Sequence, residues 1–397
     1  MKLYNSATQS VDPLLVNDNH VGIYVCGVTP YDTTHAGHAF TFLTFDILVR
    51  YLRYQGIDVT YVQNVTDIDD DIIRKARELG TTWDELGRSE TDKYLGDMNA
   101  LNAVPFDHYL RATETIPQIV ELVQALVGNG HAYVSNGNVY FDVASDPDFG
   151  QLSRIPRGEM LAIANERGNF PDDPNKRDPL DFVLWQASLP GEPSWDSPWG
   201  MGRPGWHIEC SAMAMDVLGE TVDIHGGGED LIFPHHECEI AQSENATGQK
   251  PFSRYWMHVA MVDYLGEKMS KSLGNLVIAS KVLERYSPDA FRLYLFSHHY
   301  RSSWEYVDAD IEEWADLARD MQEAVEIPSL AYGEDLDARV YETAFLEAMD
   351  NDLDTPAAIE QLRKLTEEIL ASDDLDSSRA QRKLKQLAGI LGLTLNS

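Results

Sequence analysis

Val21-Gly22-Ile23-Tyr24-Val25-Cys26-Gly27 is a short, β-branched apolar run closed by glycine, and it reads as a buried strand rather than a helix. The chain then passes the turn residues Thr29, Pro30 and Asp32, and from His38 to Tyr54 apolar residues recur at helical spacing: Phe42, Phe45, Leu48, Val49 and Leu52. Residues 58–65 supply the next strand, and Thr66 to Asp71 form a loop into a helix over 72–79. Strand alternating with helix predicts an α/β fold built on a parallel sheet with right-handed crossovers. Ligands of such sheets sit beyond the C-terminal strand ends, where Cys26 to His38 and Thr66 to Asp70 fall.

Farther along, residues 112–200 read as an insertion. It is helical over 116–128, carries a short strand pair over 131–143, and continues as an irregular Pro- and Gly-rich passage to Gly205. The α/β pattern resumes at 221–225, followed by Gly226, Gly227 and Gly228. Residues 327–333 bear Pro and Gly and separate this unit, 1–326, from a C-terminal helical bundle over 327–397. In the bundle Thr355 reads as an N-cap with Pro356 at the first helical position, and Ile359, Leu362, Leu365 and Ile369 form one apolar stripe.

With 31 Lys+Arg against 65 Asp+Glu in 397 residues, the formal charge is −34, a field that repels a polyanion unless a local basic surface overcomes it. At 43 % hydrophobic the chain is not disordered as a whole. The first residues show no basic-then-apolar leader and no stretch reaches membrane-span length, so the expectation is a cytoplasmic protein, a monomer, with no membrane partner. Cysteines occur only at 26, 210 and 238, too scattered for a disulfide framework, and should act as thiols or metal ligands.

Two short motifs carry chemistry. His35-Ala36-Gly37-His38 stands at the loop-to-helix junction, where free backbone N–H groups and the helix dipole favour phosphate and Gly37 lets a planar base approach. Alone, the tetrapeptide reads equally as surface or metal-binding histidines. Lys268-Met269-Ser270-Lys271-Ser272 puts two ammonium groups on a small-residue loop, as suits charge growing on departing pyrophosphate. A solvated Lys/Ser loop is its bland alternative.

Together the two motifs resemble the HIGH and KMSKS signatures of class I aminoacyl-tRNA synthetases. The resemblance implies a Rossmann-type catalytic domain that uses ATP, with Mg2+, to convert an amino acid to its adenylate, accelerating the step by positioning and electrostatics. His35, His38, Lys268 and Lys271 would be catalytic. Thr29, Gly37, His38, Met269, Ser270 and Lys271 would bind ATP. His225 with Gly226, Gly227 and Gly228 would form an adenosine-binding loop in which a bulky side chain blocks the nucleotide.

Cys26 and Cys210, with the cluster His235, His236, Glu237 and Glu239, offer two thiolates, an imidazole and a carboxylate, a sound tetrahedral zinc set by type, and His235 and Glu239 at i, i+4 would share a helical face; by type alone, buried thiols and a charged helix fit equally. The words around them, Tyr24-Val25-Cys26-Gly27, Gln63-Asn64-Val65-Thr66-Asp67, residues 205–210 and Asp223-Ile224-His225-Gly226, resemble the cysteine-activating branch, namely the cysteinyl-tRNA synthetases and the mycothiol-pathway cysteine ligases. In that branch one Zn2+ binds the substrate thiolate, and the resemblance makes those four residues its ligands. Cys26, Thr66, Trp206 and Asp230 match the cysteine-binding pocket, although Trp206 also reads as core and Asp230 as a helix cap. Cys238 matches no ligand position.

The branch leaves two acceptors. Thr29-Pro30-Tyr31-Asp32-Thr33-Thr34, Met261-Val262 and Asp352-Leu353-Asp354-Thr355-Pro356 resemble the ligase that joins L-cysteine to the amine of glucosaminyl-inositol. The stretch after the lysine motif leaves room for a helical bundle, with no further anticodon-binding module expected, and residues 326–397 carry 7 Lys+Arg against 15 Asp+Glu. Arg379, Arg382, Lys383 and Lys385 read as a solvated helix face. Residues 194–199, Ser211-Ala212-Met213 and Glu239 instead resemble the synthetase that charges tRNA(Cys). The amino sugar is the expected acceptor, tRNA(Cys) the alternative; a non-catalytic paralogue is disfavoured by the complete motifs.

Overall fold

The computed structural model describes residues 1–30, 34–269, 274–329, 333–372 and 374–396. A hairpin of β1 (Lys2–Asn5) and β2 (Ser10–Pro13) precedes β3 (His20–Val28), the strand expected first. Helix α1 (Ala36–Tyr54), strand β4 (Asp58–Val65) and helix α2 (Asp70–Leu79) follow as the periodicity predicts. The spacing did not announce α3 (Trp83–Ala100), whose start is fixed by a capping box of Thr82 and Glu85, nor the short β5 (His108–Arg111).

In the insertion, α4 (Ile116–Gly128) and the hairpin β6 (Ala132–Ser135)–β7 (Asn138–Phe141) appear where expected. The passage after them is not irregular. It contains α5 (Arg157–Glu166), β8 (Phe182–Ala187) and β9 (Gly202–Pro204), and the strands complete a four-stranded antiparallel sheet in the order β6-β7-β8-β9. Tertiary contacts decide this: buried Asp181 accepts hydrogen bonds from Tyr133 Oη at 2.6 Å and Val143 N at 3.0 Å, tying the later strands to the hairpin.

Helix α6 (Trp206–Leu218), strand β10 (Val222–Gly228), helix α7 (Glu237–Thr247) and strand β11 (Ser253–Val259) complete the main sheet, in the order β11-β10-β3-β4-β5. Every pairing in it is parallel. Gly226, Gly227 and Gly228 thus belong to a strand, paired with Met257, His258 and Val259, rather than to a loop after one. The reason is close packing: a Cβ on Gly226 would stand 2.2 Å from the Phe45 ring of α1. Between β3 and β4 the register shifts from Val25 to Val28, and a Cβ on Gly27 would lie 1.7 Å from the Asn64 carbonyl oxygen, so this irregularity at Cys26 requires glycine.

Beyond the sheet, β12 (Val262–Tyr264) pairs with β13 (Glu267–Lys268) and with β14 (Trp304–Glu305). Helices α8 (Ala279–Leu283) and α9 (Pro288–Phe296) flank that small sheet, and α10 (Ile311–Glu326), α11 (Arg339–Asp350), α12 (Thr355–Ala371) and α13 (Ser378–Ile390) form the bundle. Although α10 precedes the expected boundary, it packs on α12 and α13. The apolar stripe Ile359, Leu362, Leu365 and Ile369 is buried as predicted. Thr355, however, is the first helical residue and not the cap; Asp354 caps, its carboxylate accepting from Ala357 N at 3.1 Å, because the backbone is already helical at Thr355 and the free N–H falls within reach of the residue before it. Arg292 of α9, fully buried, ties the bundle to α1 and the end of α3 by pairing with Asp46 and donating to the carbonyls of Leu101 and Leu391, each at 2.8 Å. Among the described residues, no helix is long and apolar enough to cross a membrane.

Candidate active site

The C-terminal end of β3 delivers Cys26, the second turn of α6 Cys210, the turn before α7 His235, and the first turn of α7 Glu239. One ligand atom from each lies within 4.8 Å of all the others, and all four residues are buried. Glu239 Oε1 stands 3.5 Å from Cys26 Sγ and 3.2 Å from His235 Nε2. Tetrahedral ligands at zinc bond lengths are separated by about 3.3–3.8 Å, so the set fits that ion. Burial pushes the Cys26 thiol and the Glu239 carboxyl up and the His235 imidazole down. Desolvation thus opposes the anionic forms of Cys26 and Glu239, and a dication is what reverses that penalty.

Four histidines that the sequence reading did not place in the metal site surround these ligands. His207 Nδ1 lies 2.9 Å from His235 Nδ1, and His258 Nε2 lies 2.7 Å from His236 Nδ1. His225, expected to line an adenosine loop, instead has its Nε2 3.4 Å from Cys26 Sγ and 3.3 Å from Glu239 Oε2. Burial lowers His207, His225 and His258 to about 3 each, so all three are neutral imidazoles at physiological pH. The available signal was His207 one residue after Trp206, His236 beside His235, and His258 near the end of a strand; only the fold brings those positions together.

Of the other residues expected for the amino acid, Trp206 touches the cluster. The Trp206 indole stacks on the His235 ring, centroids 4.3 Å apart at 24°, and it is only partly buried, so it faces the site rather than the core. Thr66, at the end of β4, is buried, with Asn64 Nδ2 donating to its hydroxyl at 3.4 Å. Asp230 lies in a single helical turn over Glu229–Leu231, and its carboxylate receives Lys268 Nζ at 3.0 Å. Cys238 is buried in the apolar core of the insertion, away from the ligand set.

The segment that follows the lysine motif meets the histidine motif at the start of α1. His35 is the N-cap, its Nδ1 accepting from His38 N at 3.4 Å, and the two imidazoles stack with centroids 3.7 Å apart. Gly37 permits this, since a Cβ there would press on the His35 ring at 3.1 Å. The first turn of α1 has no acidic residue, leaving its dipole free for an anion. Ala36 N donates to Val277 O at 2.8 Å and Ala279 N to Thr34 O at 2.9 Å, clamping the segment after the lysine motif onto the histidine loop. Thr29 is half-buried beside this loop and Met269 is buried; Ser270, Lys271 and Ser272, with Asp32, lie outside the described residues.

A family model described as tRNA synthetases class I (C) catalytic domain matches residues 13–316, and a DALR domain matches residues 344–396. The cysteine–tRNA ligase of Legionella pneumophila (strain Paris) is 47 % identical over 400 residues, covering 99 % of this chain and 85 % of that protein. The L-cysteine:1D-myo-inositol 2-amino-2-deoxy-alpha-D-glucopyranoside ligase of Nocardiopsis dassonvillei is 44 % identical over 375 residues, 94 % of this chain and 91 % of that protein. Mycobacterium tuberculosis methionyl-tRNA synthetase with methionyl-adenylate has the same fold, with a TM-score of 0.66 at 16 % identity over 94 % of this chain and 88 % of that one.

Proposed function

The chain belongs to the class I tRNA synthetases of the cysteine type, ATP-dependent ligases that activate cysteine, and from that premise we propose that it transfers the activated cysteine to tRNA(Cys). The observation that carries this reading is the buried Glu239 carboxylate at the centre of the two-thiol, one-imidazole cluster. In the sequence, a carboxylate at that position resembles the synthetase rather than the small-amine ligase. The match of residues 344–396 to a DALR domain supports the same side.

In this reading Cys26, Cys210, His235 and Glu239 hold one Zn2+, which when bound takes the substrate thiolate and discriminates against serine, whose hydroxyl is a harder and far less acidic ligand. Trp206 walls the amino-acid pocket, and Thr66 and Asp230 orient the amino acid within it. The start of α1, with His35 and His38, receives the phosphates of ATP. A carboxylate oxygen of cysteine then attacks the α-phosphorus in line and pyrophosphate leaves with the bonding pair, its growing charge met by Lys268 and Lys271. No enzyme nucleophile takes part. In the second half-reaction a ribose hydroxyl attacks the adenylate carbonyl and AMP departs.

A second reading keeps the activation chemistry and changes the acceptor to the amine of glucosaminyl-inositol. It is favoured by the Nocardiopsis relative, of which the chain covers 91 %, and by the acidic balance of residues 326–397. Purified protein given ATP and cysteine, with tRNA or glucosaminyl-inositol in separate reactions, decides between them. An alkali-labile ester on tRNA supports our proposal, and an amide from the amino sugar without any ester overturns it.

A further inference from the structure

The metal cluster has a second side. Glu239 sits between two histidines, and each has its outward nitrogen held by another histidine: His207 Nδ1 lies 2.9 Å from His235 Nδ1, and His258 Nε2 lies 2.7 Å from His236 Nδ1. The second chain continues, with His258 Nδ1 2.7 Å from Ser6 Oγ. Bonding of the outer nitrogen is what orients a metal-binding imidazole and sets its tautomer. On the first side it leaves His235 Nε2 at 3.2 Å from Glu239 Oε1; on the second it leaves His236 Nε2 at 3.8 Å from the same oxygen.

Two atoms on this second side, His236 Nε2 and Glu239 Oε2, are fully buried and make no hydrogen bond. A buried polar atom without a partner is costly and calls for an explanation. His225 completes the arrangement, its Nε2 3.4 Å from Cys26 Sγ and 3.3 Å from Glu239 Oε2. For tetrahedral zinc, sulfur–nitrogen and nitrogen–oxygen edges of about 3.5 and 3.3 Å follow from the bond lengths. One ligand atom each from Cys26, His225, His236 and Glu239 lies within 4.8 Å of the others, a bound that the first set also meets.

We infer that Cys26, His225, His236 and Glu239 form a second, overlapping ligand set, able to retain the metal when Cys210 or His235 no longer holds it. The inference rests on the zinc reading above. The two sets share Cys26 and Glu239 and exchange one thiolate and one imidazole for two imidazoles, so the same ion passes from two-sulfur to one-sulfur ligation.

The test is Co2+ loading of the full chain, read by metal content and by the sulfur-to-cobalt charge-transfer band. Wild type should bind one ion with a two-thiolate band. Cys210→Ala should still bind one ion, more weakly, with the band at about half intensity per ion, and Cys210→Ala with His236→Ala should bind none. A Cys210→Ala protein with native circular dichroism and no cobalt overturns the inference while leaving the first ligand set intact. If that variant does not fold, His235→Ala replaces it: retention of one ion supports the second set and loss from a folded protein overturns it. Wild type that binds no cobalt takes down the zinc reading and this inference together, whereas a one-sulfur wild-type spectrum removes only the first set.

Discussion

The ammonium of Lys268, the first residue of the lysine motif, lies 3.0 Å from Asp230 Oδ2, a carboxylate on the amino-acid side of the site. One acidic group thus stands between the position expected for cysteine and the segment expected to meet ATP. If Asp230 orients cysteine as proposed, the ammonium of an arriving cysteine would compete with Lys268 for the same oxygens and free Lys268 for the phosphates.

Asp230→Asn is therefore expected to weaken cysteine binding but to tighten ATP binding measured without cysteine. A partly exposed pair contributes at most about 1 kcal/mol, so the gain in ATP affinity should not exceed about fivefold. Titrations of ATP with and without cysteine check this. The mutual enhancement of the two ligands should shrink in the variant, and an unaltered enhancement would leave the pair without the coupling role.

Cys26 and Glu239 belong to both ligand sets. Cys26→Ala should lose the metal and cysteine-dependent ATP–pyrophosphate exchange together, because ligand loss here has no substitute. Metal analysis beside the exchange assay tests it, and full exchange by metal-free protein would refute the zinc role.

Lys271→Ala should lower the rate of adenylate formation by about 10²–10³-fold while cysteine affinity changes little, the pattern for losing one preorganised charge-stabilising group. Pyrophosphate exchange at saturating cysteine reads the rate. Unchanged exchange would remove the lysine motif from the mechanism.

Burial pushes Asp69, the N-cap of α2, up to about 6, against a hydrogen bond from Ile72 N at 2.7 Å that favours its ionised form. A raised carboxyl pKa means the folded state binds more protons than the unfolded, so stability is lost as pH rises from the unfolded value near 4 through about 6. Asp69→Asn keeps an acceptor for the Ile72 N–H without the charge. It should stabilise the protein by on the order of 1–3 kcal/mol at pH 8 and by little at pH 4, as calorimetric melting at the two pH values would show.

If tRNA is the acceptor, aminoacylation should fall steeply with salt while pyrophosphate exchange does not, since phosphate contacts release counterions. Arg379 and Lys383 are engaged by Asp335 and Glu342, at 2.6 and 2.7 Å, so neutralising these two basic residues should affect charging only slightly. A flat salt profile for transfer would favour the small amine.

Local sequence settled the elements whose pattern is short-range. The apolar run at 21–27, the helical spacing after His38 and the stripe at Ile359 to Ile369 each carry their own period, because side-chain direction follows from backbone geometry alone. The residue types Cys26, Cys210, His235 and Glu239 suited a metal no better than buried thiols and a charged helix, and only the resemblance of the words around them singled the metal out. Tertiary structure decided what depends on approach between distant segments. It drew Gly226 to Gly228 into a strand beneath Phe45, turned the passage after Val143 into half of a second sheet, and set His225 against the sulfur of Cys26. His207, His236 and His258 have no common spacing with the ligands. Their place around Glu239 arises because the ends of β3, β10 and β11 and the start of α6 and α7 converge, and a buried imidazole takes its role from whichever atoms that convergence puts within hydrogen-bond or ligand distance.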